Sequence, residues 1–316
     1  MTTPEQLRDK LRGPVIAMTT HFNNDYSLDL DGAKRLTEYY IEQKVPSVIV
    51  TGSTGEFFSL TNEERKQVQR AVIDTVKKAG SDMTVIAGVC HSGTHMTIEL
   101  TKYAESIGAD GVMITPPYYG TNGGGFPVIQ HHFDVVTKAT EIGVVIYFSG
   151  AVMWQVQDII AKPELMLDLV ESCNGHAAGF KDASGNFPFY RKHSELLKGK
   201  VSTMGSAGMN YYLWGFEFGS PCFLTGLGNV WPKWEIEFYN HLVEGRRDQA
   251  VKIVKEKDLP YEAVTKGTKR YWACVKALQE MAGLPGGPMR PPLVDCTAEQ
   301  REDLRRVCTQ IGLMEE

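Results

Sequence analysis

The sequence predicts an α/β fold, a (β/α)₈ TIM barrel followed by a small helical C-terminal extension, and three observations carry that expectation. Short apolar runs alternate with longer helical patterns. The alternation recurs eight times. Beyond about residue 232 the strand signal stops and only helical patterns remain. Alternating strands and helices call for a parallel sheet with helical crossovers, and eight such units suit a closed barrel. A doubly wound open sheet is the main competitor, but it usually shows fewer units or a nucleotide-binding glycine turn. The length of 316 residues suits one large α/β domain with an appendage, or two domains.

The apolar runs cover residues 14–18, 47–50, 83–89, 111–114, 144–147, 178–181, 201–204 and 222–224. Several are rich in Val and Ile at consecutive positions, as strands buried on both faces should be. A helix begins near Asp31, with Ala33, Leu36 and Tyr40 on one face. Thr61-Asn62-Glu63-Glu64 reads as a capping box. After it Val68, Ala71, Val72, Thr75, Val76 and Ala79 follow helical spacing, and Gly80 can stop the helix. Another helix covers about 97–107 and stops at Gly108. Past the last run, 234–244, 247–259 and 261–282 carry helical patterns, 284–293 is a Pro/Gly-rich connector, and Thr297-Ala298-Glu299-Gln300 offers a second capping box. The catalytic barrel is accordingly assigned to residues 10–245 and the helical extension to 246–316.

Composition narrows the partners. Hydrophobic residues make up 42% and charged residues 22% of the chain, the mix of an ordinary soluble globule with a large core. The net charge is −5 and no Lys/Arg run occurs, so neither nucleic acid nor an anionic membrane is an expected partner. Residues 1–12 lack the apolar core of a signal peptide, and no stretch approaches the ~18 apolar residues of a membrane span. Six cysteines are scattered without a Cys-x-x-Cys pair, which reads as free thiols in a reducing compartment. A cytoplasmic location is the expectation.

Lys181 is the sharpest chemical feature. It ends the sixth run in Ala178-Gly179-Phe180-Lys181-Asp182, where a barrel strand meets the catalytic face. A lysine partly desolvated there has a lowered pKa, and its neutral amine can condense with a ketone. The alternatives are an ion pair with Asp182 or a solvated side chain. Tyr147 closes the fifth run and could relay protons, or it is a core tyrosine with a satisfied hydroxyl. Thr51-Gly52-Ser53-Thr54-Gly55-Glu56 follows the second run as a turn whose N–H groups suit a carboxylate. It lacks the Gly-Lys-Ser/Thr of a phosphate loop and the G-x-G-x-x-G of a dinucleotide site. Thr115-Pro116-Pro117-Tyr118-Tyr119 ends the fourth run, placing a second tyrosine at the barrel mouth or building a rigid loop. His91 and His95 are spaced for zinc if helical, but Gly93 interrupts the helix and no Glu lies between them. His131-His132 point in different directions on a helix. No metal is expected.

Taken together these segments resemble the dihydrodipicolinate synthase / N-acetylneuraminate lyase family across nearly the whole chain. The match lies in Gly52-Ser53-Thr54-Gly55-Glu56, Thr115-Pro116-Pro117-Tyr118-Tyr119, Tyr147 and Gly179-Phe180-Lys181-Asp182-Ala183-Ser184-Gly185-Asn186, in order on successive strand ends. The resemblance implies a lyase of 2-oxo acids that needs no cofactor. Lys181 would form the imine, and the Ser53 and Thr54 amides would hold the substrate carboxylate. Tyr147 would act as acid and base, with Thr54 in its relay. Tyr119 would reach into a neighbouring subunit of a homotetramer, a dimer of dimers. Gly52, Ser149, Gly205, Ser206 and Leu224 complete the candidate substrate-binding positions.

Departures bear on the substrate. Members that condense pyruvate with aspartate semialdehyde usually read Tyr-Asn-x-Pro-x-Arg after the fifth strand. Here the segment is Tyr147-Phe148-Ser149-Gly150-Ala151-Val152, so Val152 stands where the arginine would grip a second carboxylate. Ser149, Ser206 and Gln155 are placed to meet neutral hydroxyls instead, while Arg290 is a remote substitute for the missing cation. Thr20-His21-Phe22, residues 55–61 and Pro288-Met289-Arg290-Pro291-Pro292-Leu293 resemble the branch typified by 5-dehydro-4-deoxyglucarate dehydratase. The leading expectation is dehydration of a keto-deoxy sugar acid. Aldol cleavage releasing pyruvate, or condensation of the dihydrodipicolinate synthase kind, is the alternative. A non-catalytic sensor of 2-oxo acids is disfavoured because Lys181, Tyr147 and Thr54 are retained together.

Overall fold

The computed structural model describes residues 2–119 and 124–315. Eight strands, β1 (Gly13–Ala17), β2 (Ser47–Val50), β3 (Thr84–Gly88), β4 (Gly111–Ile114), β5 (Gly143–Ser149), β6 (Ala177–Ala183), β7 (Ser202–Gly205) and β8 (Cys222–Phe223), close in sequence order into a barrel. The expected (β/α)₈ architecture is therefore the observed one. β1 to β4 are buried along their whole length, which explains the unbroken apolar runs. β5 and β6 run to seven residues each and end in the polar Ser149 and the Asp182-Ala183 pair, beyond what an apolar run can mark. β8 has only two residues, but the Leu224 N–H continues its ladder by donating to the Gly205 carbonyl at 2.9 Å.

The chain forms two compact units. The first comprises Met1–Val15, Thr84–Ala207 and Tyr211–Leu224. It opens with a helix, Pro4–Lys10, held by a Thr3/Gln6 capping box. The helix is too short for a periodic signal, so residues 1–12 read only as polar. Its Leu7 and the following Leu11 are fully buried. β4 and β5 each begin with glycine because a Cβ at Gly111 or Gly143 would collide with the Leu7 side chain. Ser202 Oγ donates to the Arg8 carbonyl at 2.7 Å, and Thr2 Oγ1 to Asp110 at 2.6 Å, tying the helix to the strands. Phe148 of β5 and Phe180 of β6 pack edge to face at 5.3 Å and meet Phe189 of the helix Phe187–Leu196.

The second unit comprises Ile16–Met83, Gly208–Asn210 and Thr225–Glu316. Both capping boxes form as expected. Thr61 Oγ1 accepts from the Glu64 N–H at 3.2 Å while Glu64 accepts from the Thr61 N–H at 2.8 Å; Thr297 and Gln300 repeat the exchange. The expected helices over 247–259 and 261–282 are instead Arg247–Ile253, a π-helical turn Val254–Asp258, Leu259–Gly267 and Tyr271–Met281. Pro260 has no N–H to give the carbonyl four residues back, which favours widening the preceding turn. Lys269 adopts a left-handed φ of 56° and breaks the next helix. The π turn aims Asp258 at the start of the helix Met209–Glu217, where its carboxylate accepts the Asn210 N–H at 3.1 Å. Glu235, fully buried, accepts from the Gly228 N–H at 2.5 Å and from the Thr225 hydroxyl. Among the described residues no helix is long and apolar enough to cross a membrane.

Candidate active site

Lys181 lies two residues from the end of β6 and is 3% exposed. Burial pulls its ammonium down to about 8 from the usual 10.5. Neighbouring strand residues face opposite sides of a sheet. Asp182 thus turns away from the lysine, and its Oδ1 accepts the Ser184 N–H at 2.8 Å. Burial also drives the Asp182 carboxyl up to about 6. An ion pair with Asp182 and a solvated lysine are both excluded by this arrangement. The partner of Lys181 is an aromatic ring. β5 and β6 pair in a register that sets Tyr147 beside Lys181, and the Lys181 Nζ sits 4.2 Å from the Tyr147 ring centroid. Tyr147 is 5% exposed.

The neighbouring candidates are laddered together. Ser149 closes β5 opposite Ala183 and is half-buried. The half-buried Ser206 donates its N–H to the Asp182 carbonyl at 2.9 Å. Gly205 is in register with Asp182 and Phe223, and a Cβ there would lie 2.8 Å from the Tyr190 ring and 3.0 Å from Tyr211, so ring packing requires its glycine. Leu224 is buried against it. Cys90, just past β3, was not singled out by sequence. It is buried, its Sγ lies 3.5 Å from the Met113 carbonyl, and it interacts electrostatically with Lys181. Its position after the third apolar run was the available signal. Tyr119 is 82% exposed and is not gathered with Lys181 and Tyr147.

Gly52, Ser53 and Thr54 lie on the loop that follows β2. Thr51 and Glu56 take left-handed φ values of 55° and 54°. The Glu56 N–H donates to the Ser53 carbonyl at 3.0 Å, and Thr20 Oγ1 donates to the Gly55 carbonyl at 2.7 Å. Ser53 and Thr54 are half-buried.

The three segments that resemble the dehydratase branch meet around this loop. Glu56, fully buried, pairs with Lys276 at 2.5 Å and accepts the Arg290 N–H at 3.1 Å. The Phe22 ring lies 4.6 Å from the Lys276 Nζ and 4.3 Å from the Arg290 guanidinium. Arg290 forks onto Glu64 at 2.8 and 2.9 Å and donates to the Ser59 carbonyl at 2.8 Å. Arg290 is thus engaged inside the clasp. Burial, with Lys276 nearby, holds the His21 imidazole neutral at about 3.

His91 and His132 have local partners. His91 Nδ1 accepts the Gly93 N–H at 3.0 Å, and His132 Nδ1 pairs with Thr94 Oγ1 at 2.9 Å. Among the described residues no group of three or more His, Cys, Asp and Glu is placed to hold a metal ion.

Comparison with known proteins is consistent along the chain. The model of the Dihydrodipicolinate synthetase family matches residues 10–311. A probable 5-dehydro-4-deoxyglucarate dehydratase of Rhizobium meliloti (strain 1021) is 29% identical over 309 residues, covering 96% of this chain and 97% of that one. A 4-hydroxy-tetrahydrodipicolinate synthase of Acidothermus cellulolyticus is 32% identical over 335 residues, covering 100% and 97%. A prophage protein of the dihydrodipicolinic acid synthase family from E. coli, solved with pyruvate, superposes with a TM-score of 0.87 at 22% identity, covering 96% and 99% of the two chains.

Proposed function

Because the chain belongs to the dihydrodipicolinate synthetase family, we propose that it is a Schiff-base-forming lyase that dehydrates a keto-deoxy sugar acid, with Lys181 as the nucleophile. The observation that carries the proposal is a lysine at 3% exposure whose ammonium is drawn down to about 8, set against the Tyr147 ring. A substantial fraction of that amine is neutral near physiological pH, and it attacks the ketone carbon of the substrate. The carbonyl oxygen leaves as water and an imine forms. Tyr147 then serves as the acid and base that takes a proton from the adjacent carbon, giving the enamine that expels hydroxide. Ser53 and Thr54 hold the substrate carboxylate through their amides, Thr54 joins the Tyr147 relay, and Gly52 shapes that turn. Ser149, Gly205, Ser206 and Leu224 bound the remaining substrate. The exposure of Tyr119 supports a place for it in a neighbouring subunit of a tetramer.

Two observations disfavour condensation with a second acid. Val152 offers no cation, and Arg290 is engaged by Glu64. The motifs shared with the dehydratase branch weigh less than their number suggests, because they build the clasp around Glu56. The proposal is tested by borohydride reduction in the presence of pyruvate, followed by peptide mass spectrometry. A secondary amine is expected on Lys181, and Lys181→Ala abolishes both labelling and turnover. Labelling of another lysine, with Lys181→Ala still active, rejects the assignment. Assaying the products of keto-deoxy sugar acids for released pyruvate separates dehydration from aldol cleavage.

A further inference from the structure

The chain leaves β5 at Ser149, turns through Gly150–Val152 and then buries Gln155, which is 6% exposed. Among the described residues, neither Oε1 nor Nε2 of Gln155 has a hydrogen-bond partner. Buried polar groups are nearly always matched, so a primary amide left with both ends open asks for a ligand. Gln155 lines a cavity of about 160 Å³ together with Ile129, Trp154 and Asp158. Two other polar side chains of the cavity have partners. Asp158 Oδ2 accepts the Phe126 N–H at 2.9 Å, and Gln157 Nε2 donates to the Met153 carbonyl at 2.7 Å.

The topology locates this cavity relative to the chemistry. Its walls come from the start of the helix Gly125–Thr137, which follows β4, and from the start of the helix Gln157–Ala161, which follows β5. Both helices begin on the face where parallel barrel strands end and where a barrel assembles its site. β5 lies between β4 and β6, and Tyr147 of β5 stands beside Lys181 of β6. The cavity therefore lies between the two helices that flank β5 in sequence, at the end of the barrel where β5 carries Tyr147.

We infer that Gln155 is a specificity-determining residue whose amide hydrogen-bonds hydroxyl groups on the distal carbons of the 2-oxo acid held at Lys181. An amide presents both donors and an acceptor, and a hydroxyl both donates and accepts. A carboxylate would satisfy only the N–H side and an alkyl tail neither. The inference rests on the Schiff-base reading above and adds to it the kind of tail the substrate carries.

The experiment traps imines on the full-length protein with cyanoborohydride, using pyruvate, 2-oxohexanoate and a 3-deoxy-2-oxohexonate. The last two have the same chain length and differ in their distal hydroxyls. The wild type is expected to trap the hydroxylated acid about tenfold or more better than 2-oxohexanoate. Gln155→Leu is expected to lose that preference while trapping pyruvate as the wild type does, which also establishes that the variant is folded. A wild type without the preference, or a Gln155→Leu protein that keeps it, overturns the inference and leaves the cavity to water. Failure of the wild type to trap pyruvate at Lys181 overturns the Schiff-base reading and this inference with it, an outcome distinct from the other two.

Discussion

At Lys181 the depression of the ammonium comes from burial, with the Cys90 thiol acting in the opposite direction. The sign for activity follows from a base whose folded value is lowered. Below about 8 the amine is mostly protonated and imine formation is slow; above it the neutral form dominates. The rate of imine trapping with pyruvate is expected to rise about tenfold per pH unit below that value and to level above it. A limb displaced to near 10, followed by stopped-flow or quenched trapping, would count against the assignment. Tyr147→Phe keeps the ring against the lysine and removes only the hydroxyl. Trapping should survive while kcat falls ~10²–10⁴-fold, the usual contribution of a general acid or base; an unchanged kcat would reduce Tyr147 to packing. Lys181 and Tyr147 were legible because each ends an apolar run. Gln155 was legible as a polar residue placed to meet hydroxyls, but the burial of Cys90 and the unmatched state of the Gln155 amide were not, since burial and hydrogen-bond matching are three-dimensional properties that residue type alone does not carry.

Secondary elements were legible where a local code exists. Thr61 and Thr297 each announce a helix start with a matching Glu or Gln three residues on, and both exchanges form. The π turn before Leu259 has no periodic signature, and the Pro4–Lys10 helix is too short for one. The clasp around Glu56 was visible as conspicuous segments whose meeting was not. Burial pushes the Glu56 carboxyl up and the Lys276 ammonium down, so neither charge regains in the pair all that it loses in water. Removing one partner leaves the other buried and unmatched. Lys276→Met is expected to cost ~3–5 kcal/mol in denaturant unfolding, and adding Glu56→Gln should recover part of that loss. Additive losses in the double variant would show that the two residues act independently.

For the whole molecule, eight alternations of run and helix sufficed to specify a barrel, because strands buried on both faces leave a continuous apolar trace. Global stability carries a pH dependence that no such pattern shows. Burial raises Asp258 to about 8 and Glu235 to about 7, well above free carboxyls. The folded state therefore binds more protons than the unfolded chain between about 4 and 8, and these groups make stability fall as pH rises through that window. Asp258→Asn keeps an acceptor for the Asn210 N–H and removes the titration. Relative to the wild type it should gain up to ~1.4 kcal/mol per pH unit across the window. Parallel Tm profiles for the two proteins would refute this. The glycine seats at Gly111 and Gly143 that receive Leu7 have a further consequence, for the order of assembly during synthesis. Leu7 leaves the ribosome before either seat has been translated, and Gly179, beside which Leu11 packs, comes later still. The helix that carries Leu7 is thus made before the strands it packs on and docks after them, and Leu7 and Leu11 stay unburied on the nascent chain until those strands have emerged.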